Sequence, residues 1–227
     1  MSNRPLIDYY LSKKRISELN KLLKTTINIL DKHNIMYYAD GGTMLGAIRH
    51  KGQIPWDDDA DICCSIKDYD NIVNLGPLFT KAGYKLYQEK NPKILKVYAE
   101  GQWEIGKIDG YERLVGTPTC DIFFVSKNNV GFYNYHDKRL RTKWSSCYHH
   151  ESNLFPLQEV TFDKFKIKIP KNPIPYLDRY YKDWDKKIII DERKFDYPLD
   201  KTSLVEFKIK SLDPFIVTDV DPTLKGS

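Results

Sequence analysis

The stretch from Tyr37 to Cys64, YYADGGTMLGAIRHKGQIPWDDDADICC, constrains this chain more than any other. It sets four carboxylates, Asp57, Asp58, Asp59 and Asp61, just ahead of the apolar run Ile62-Cys63-Cys64. If Asp59 to Cys64 is a strand, Asp59 and Asp61 point to one face and Ala60 to the other. Two carboxylates about 4 Å apart repel by roughly 4 kcal/mol at an effective dielectric near 20. A fold therefore rarely gathers them without a cation between them. Oxygen-only ligands favour Mg²⁺ or Mn²⁺ over zinc. The plainer reading is a solvated Asp-rich loop. The apolar residues on both sides, and the turn upstream, weigh against it.

That upstream segment reads as strand, turn and helix. Ile35 to Ala39 is apolar and aromatic, as a strand would be. In Asp40-Gly41-Gly42 the glycines allow close backbone approach to a ligand. Thr43 to Arg49 can then form a short helix whose free N–H groups face the glycines, an anion site. Arg49, His50 and Lys51 follow. Arg49 could add a charged hydrogen bond to phosphate, or all three could be paired with the aspartates; the sequence leaves both open.

The rest of the chain reads as the covering of such a site. Residues 12 to 33 carry one apolar stripe, Ile16, Leu19, Leu22, Leu23, Ile27 and Leu30, with Ser12 as N-cap and His33-Asn34 as the stop. Asp68 to Ala82 reads as a second helix ended by Gly83. Tyr84 to Gln88, Ile94 to Ala99 and Trp103 to Ile108 read as strands, with Asp109-Gly110 turning into Tyr111 to Val115. Thr119 to Val125, TCDIFFV, is a buried strand with one carboxylate, Asp121. A buried charge without a partner is costly, so Asp121 is expected to have one, or to cap a turn at the strand end. Gln158 to Phe162 and Phe165 to Ile169 form a hairpin around Asp163-Lys164. Pro173 and Pro175 open a short helix through Tyr181. Ile188 to Ile190 and Phe215 to Val217 could each add a strand.

Composition bounds the partners. A length of 227 residues fits one domain, residues 1–227, with elaborations. The net charge is +5 despite the acidic cluster, so the remaining surface is basic and suits phosphate-bearing substrates. No dense basic stripe interleaved with aromatics occurs, which speaks against nucleic acid. Residues 136 to 144, HDKRLRTKW, could sit near phosphates or form a solvated face. Cys63, Cys64, Cys120 and Cys147 include no CxxC pair and read as reduced, small apolar residues. The adjacent His149 and His150 diverge in any regular element and make poor joint ligands. With no apolar signal core and no apolar run of membrane length, the expectation is a soluble, cytoplasmic chain with no membrane span.

GGTMLGAIRHKGQIPWDDDAD closely resembles the signature of the LicD-type phosphocholine transferase family, which includes fukutin and its relatives. The family pattern is Gly-Gly-Thr/Ser, a small apolar helix, Arg-His, then Ile-Pro-Trp-Asp-x-Asp-x-Asp. A second stretch, LFPLQEVTFDKFKIKIPKNPIPYLDRYYKDW, resembles the family's C-terminal hairpin and helix, so the resemblance spans about residues 35–184. It implies an α+β, nucleotidyltransferase-like mixed sheet flanked by helices, with an added C-terminal β-hairpin and helix. It implies transfer of a phospho-alcohol group, phosphocholine or similar, from a CDP-activated donor such as CDP-choline to a hydroxyl of a sugar or glycan. On this reading Asp59, Asp61 and Asp121 are the catalytic and metal-binding carboxylates, holding two Mg²⁺ or Mn²⁺ ions. Asp121 is also the candidate proton acceptor. Gly41, Gly42, Thr43 and Arg49 would bind the donor's phosphates. A nucleotidyltransferase moving NMP to a small molecule or nucleic acid, or a non-catalytic glycan- or nucleotide-binding member, are the alternatives.

Overall fold

A long amphipathic helix opens the fold. Helix α1 (Lys13–Lys32) begins where the Ser12 side chain accepts the Arg15 N–H at 3.2 Å, and it ends at His33. Such a cap contributes about 1 kcal/mol. The computed structural model describes residues 6–90, 92–99, 104–108, 111–115, 118–191 and 204–209. Strand β1 (Tyr37–Ala39), helix α2 (Gly41–Arg49) and strand β2 (Asp59–Ser65) follow. Gly41 has a φ of +49°, so the chain turns into α2 through a conformation that glycine adopts at little cost.

The expected single helix over 68–82 is two: α3 (Tyr69–Asn74) and α4 (Gly76–Lys81), preceded by a 3-10 turn. The break falls at Leu75-Gly76-Pro77, because proline lacks the N–H and clashes with the preceding turn. Next come β3 (Tyr84–Lys90), β4 (Lys93–Ala99), β5 (Glu104–Ile108), β6 (Tyr111–Val115) and β7 (Thr119–Lys127). The strands β5 and β6 pair as an antiparallel hairpin. Trp103, the Asp109-Gly110 turn and the strand expected at Phe215 to Val217 lie outside the described residues. Strand β8 (Phe132–Tyr135), helix α5 (Lys138–Lys143), strand β9 (Tyr148–His150) and helix α6 (Glu151–Leu154) lead to the hairpin β10 (Gln158–Phe162) and β11 (Phe165–Ile169). Helix α7 (Ile174–Tyr180) follows, then β12 (Lys187–Asp191) paired with β13 (Leu204–Lys208). The basic stretch at 136–144 is largely α5, capped by Asp137.

The main sheet runs β1-β2-β7-β4-β3, with β8 added to β7 and β9 to β8. Only β2 and β7 are parallel within it. Alternation along these strands makes two unlike faces. One presents Ala60, Ile62, Leu95, Val97, Cys120 and Ile122, each 0% exposed. Helix α1 covers it with Leu19, Leu22 and Leu23, also fully buried. Burying a leucine contributes about 1.5–3 kcal/mol, so this face is where the sheet gains its stability. The opposite face carries the acids. All four cysteines are buried free thiols, Cys63 and Cys64 in β2, Cys120 in β7 and Cys147 just ahead of β9. No helix of the described residues is long and apolar enough to cross a membrane.

Candidate functional site

The register of β2 on β7 brings together carboxylates that lie far apart in sequence. Asp61 pairs with Asp121, and Asp59 with Thr119. In a parallel ladder, residues in register point to the same face, so Asp59, Asp61 and Asp121 share one. Burial, reinforced by Asp59, Asp121, Asp57 and Asp40, pushes the Asp61 carboxyl well above the usual carboxylate range. Asp121 is 6% exposed; one of its oxygens, Oδ2, meets the Lys96 ammonium, and the other, Oδ1, is buried without a hydrogen-bond partner. Asp57, Asp58 and Asp59 form a tighter cluster still, with one oxygen from each within 4.8 Å of the others. The sequence reading centred the metal on Asp59, Asp61 and Asp121; in this structure the closest-drawn group is Asp57 to Asp59, with Asp59 common to both.

Helix α2 begins against this face. A Cβ on Gly41 would meet Asp61 Oδ2 at 2.9 Å, and one on Gly42 would collide with the Asp57 carboxylate. The two glycines thus let the acids approach the start of the helix, where its dipole favours negative charge. The backbone N–H of Asp40 donates to the Asp61 carbonyl at 3.0 Å. The Asp40 carboxylate, 2% exposed, accepts the Tyr135 hydroxyl at 2.5 Å and the Cys63 thiol at 3.2 Å.

Thr43 and Arg49, expected to meet phosphate, are engaged inside the protein. Thr43 is 2% exposed and its hydroxyl accepts the Asp61 N–H at 2.8 Å. Arg49 is 4% exposed; its Nη1 donates to the Trp184 carbonyl at 3.0 Å and the Lys187 carbonyl at 3.5 Å. Burial lowers its pKa to about 10, so it stays charged at neutral pH. Thr43 thereby ties α2 to β2, and Arg49 ties the far end of α2 to the segment after α7. His149 is packed in the core, stacked on Tyr176 at 4.7 Å with Tyr38 at its edge, while His150 accepts the Ser152 N–H at the start of α6. The two histidines diverge and make no joint site.

Several residues of this site were not apparent from the sequence. Gln53 is one: its Nε2 donates to the carbonyls of Asp57 at 3.0 Å and Asp59 at 3.2 Å. Asp163, at the tip of the β10–β11 hairpin, accepts the Gln53 N–H at 3.1 Å and the Asn20 amide at 2.8 Å. Lys96 is another, set directly opposite Asp121 across β4 and β7. Tyr180 and Tyr181, at the end of α7, lie near enough to Asp61 that its charge helps raise both phenols, behind burial as the main cause. The only sequence signal for Lys96 was a lysine between the apolar Leu95 and Val97.

Known proteins share this arrangement of motifs. Residues 34–172 match the family described as LicD/FKTN/FKRP, nucleotidyltransferase domain. An uncharacterized protein of Rickettsia prowazekii is 33% identical over 191 residues, covering 84% of this chain. The chain spans 64% of that relative's length. Lipopolysaccharide cholinephosphotransferase LicD of Haemophilus influenzae is 45% identical over 56 residues, 22% of this chain and 21% of that protein. Ribitol 5-phosphate transferase FKRP of Homo sapiens is 33% identical over 57 residues, 25% of this chain and 12% of that protein. The family match takes in β1, α2, the acidic strand β2 and its partner β7, more than half of the chain, and the protein belongs to the LicD/FKTN/FKRP family of nucleotidyltransferase domains.

Proposed function

We propose that this chain is a transferase that moves a phospho-alcohol group, phosphocholine or similar, from a CDP-activated donor to a hydroxyl of a sugar or glycan. The observation that carries the reading is the in-register pair Asp61 and Asp121, with Asp59 beside it, facing the glycine end of α2. The relatives named for cholinephosphate and ribitol 5-phosphate transfer agree with it.

The acidic residues fit a divalent cation: the donor set is all oxygen, and Asp121 Oδ1 is buried with no other partner. Asp59, Asp61 and Asp121 would hold two Mg²⁺ or Mn²⁺ ions, with Asp57 and Asp58 at the rim. When bound, such ions neutralise charge on the diphosphate and acidify the attacking hydroxyl. The protein's own part is positioning, which dominates phosphoryl transfer. Gly41 and Gly42 allow the diphosphate close to the N–H groups of α2. Thr43 holds the start of α2 to β2, and Arg49 anchors the far end of that helix. Asp121 is the carboxylate proposed to take the hydroxyl proton. Tyr180 and Tyr181 lie beside the acids at the end of α7, within reach of the charge of Asp61.

The test is CMP release from CDP-choline, CDP-ribitol and CDP-glycerol in Mg²⁺, with hydroxylated sugars as acceptors. We expect release from at least one donor, abolished by EDTA and by Asp61→Asn. Full turnover in excess chelator would discard the metal. The family's description also admits NMP transfer. Pyrophosphate release from CTP, with no CMP from any CDP-alcohol, would favour that second reading.

A further inference from the structure

Among the described residues, Lys96 is a cation buried in the acidic face. It lies on β4, directly opposite Asp121 on β7 and opposite Tyr87 on β3. Its ammonium bonds Asp121 Oδ2, with the two side chains only 15% and 9% exposed. A lysine is seldom buried this far unless paired, and here it stands where a metal held by Asp121 would need that oxygen. A second carboxylate is within reach. Glu89 on β3 pairs with Ile94, two residues from Lys96, which puts it on the same face and diagonal to the lysine. Such diagonal neighbours lie about 7–8 Å apart, a distance that a long side chain spans. Glu89 is 2% exposed, and its charge acts on the same ammonium as those of Asp121 and Asp59.

We propose that Lys96 is a positioning residue that stands in for the metal on Asp121 and moves across to Glu89 when the metal binds. The inference rests on the metal-dependent reading of the acidic face. Without the lysine, the metal-free protein would gather Asp59, Asp61 and Asp121 with no positive charge among them. With it, the face stays folded and its geometry stays near that needed for loading. The lysine must be displaced from Asp121, so it weakens metal affinity. Glu89 offers the displaced ammonium a partner, so it restores part of that affinity.

Mn²⁺ titration of the metal-free full chain by calorimetry tests the exchange in wild type, Lys96→Met, Glu89→Gln and the double variant. Removing a competing buried cation should tighten Mn²⁺ binding in Lys96→Met by roughly tenfold. Glu89→Gln should weaken it several-fold in the wild-type background. In the Lys96→Met background Glu89→Gln should change little, because no ammonium remains to be received. A plain field effect of Glu89 would instead persist in both backgrounds, which is what the double-mutant cycle separates. Circular-dichroism melts check that each variant folds, and Lys96→Gln serves if Lys96→Met does not. If wild type binds Mn²⁺ and the variants show any other pattern, the exchange is overturned and the metal site stands. If neither wild type nor any variant binds Mn²⁺, the metal site itself falls and the exchange with it.

Discussion

Asp61 is the residue at which the charge of this face is felt most. Its carboxyl titrates well above the ordinary value of 3.8, first through burial and then through Asp59, Asp121, Asp57 and Asp40. Above 3.8 the unfolded chain releases that proton while the folded, metal-free protein keeps it. The folded state then binds more protons than the unfolded one, so stability falls as pH rises from that value toward the raised one. In EDTA, the melting temperature should decline by this route as pH rises above 3.8. Asp61→Asn should flatten the decline and melt higher than wild type at the upper end, while losing turnover. A lower melt for Asp61→Asn than for wild type throughout that rise in pH would show that the carboxylate is stabilised by something other than a bound metal. The shared face of Asp59 and Asp61 was legible from the two-residue period of a strand. The lysine opposite Asp121 was not, because cross-strand register depends on β4 lying beside β7, which no local pattern states.

The acidic loop between α2 and β2 depends on how neighbouring elements hold it. Gly46, in the middle of α2, lies so close to the loop that a Cβ there would meet the Gly52 carbonyl at 2.5 Å. Gly46→Ala must push the loop off the helix, at a cost of about 1–3 kcal/mol typical of overpacking. From the other side the β10–β11 hairpin pins the loop through Asp163, whose φ is +50°. Its N–H donates to the Lys51 carbonyl at 2.7 Å, and its carboxylate accepts from Gln53 and Asn20. Asp163→Ala removes the acceptor and strains a left-handed residue. Thermal melts should fall by the equivalent of about 1–3 kcal/mol, and Mn²⁺ affinity should drop with them. Asp163→Asn keeps an acceptor and tolerates the same φ, so it should recover most of both. Equal Mn²⁺ affinity in all three proteins would leave the hairpin no hold on the acidic loop. Alternation along β11 and the Asp163-Lys164 turn made the hairpin itself legible. Its docking against the loop was not, since Asn20, Gln53 and Asp163 meet only in three dimensions. The break in the helix at Pro77 was legible in principle from the proline alone.

At the scale of the molecule, chain beyond the family match is tied to the helix that carries the glycine turn. The family match closes at residue 172, yet Arg49 at the end of α2 reaches the carbonyls of Trp184 and Lys187 beyond it. The segment after α7 is therefore tied to the helix that starts at the glycine turn. The resemblance made the motif around Arg49 plain and suggested phosphate as the partner. Which groups an arginine meets is fixed by packing from remote segments, and that is invisible locally. A charged donor to a buried carbonyl contributes about 1.5–3 kcal/mol, so Arg49→Ala should lower the melting temperature by several degrees. Arg49→Lys should recover only part, because a single ammonium cannot reproduce the planar fork that serves two carbonyls. The two roles separate when CDP binding is measured by calorimetry, with Ca²⁺ in place of Mg²⁺, well below the melting point of each variant. A brace predicts that the folded fraction of Arg49→Ala binds CDP as wild type does. A direct phosphate contact predicts a loss of about tenfold or more even where the variant is fully folded. That second result would require the guanidinium to leave the Trp184 and Lys187 carbonyls when the donor arrives, and would make the C-terminal segment a moving part of the site.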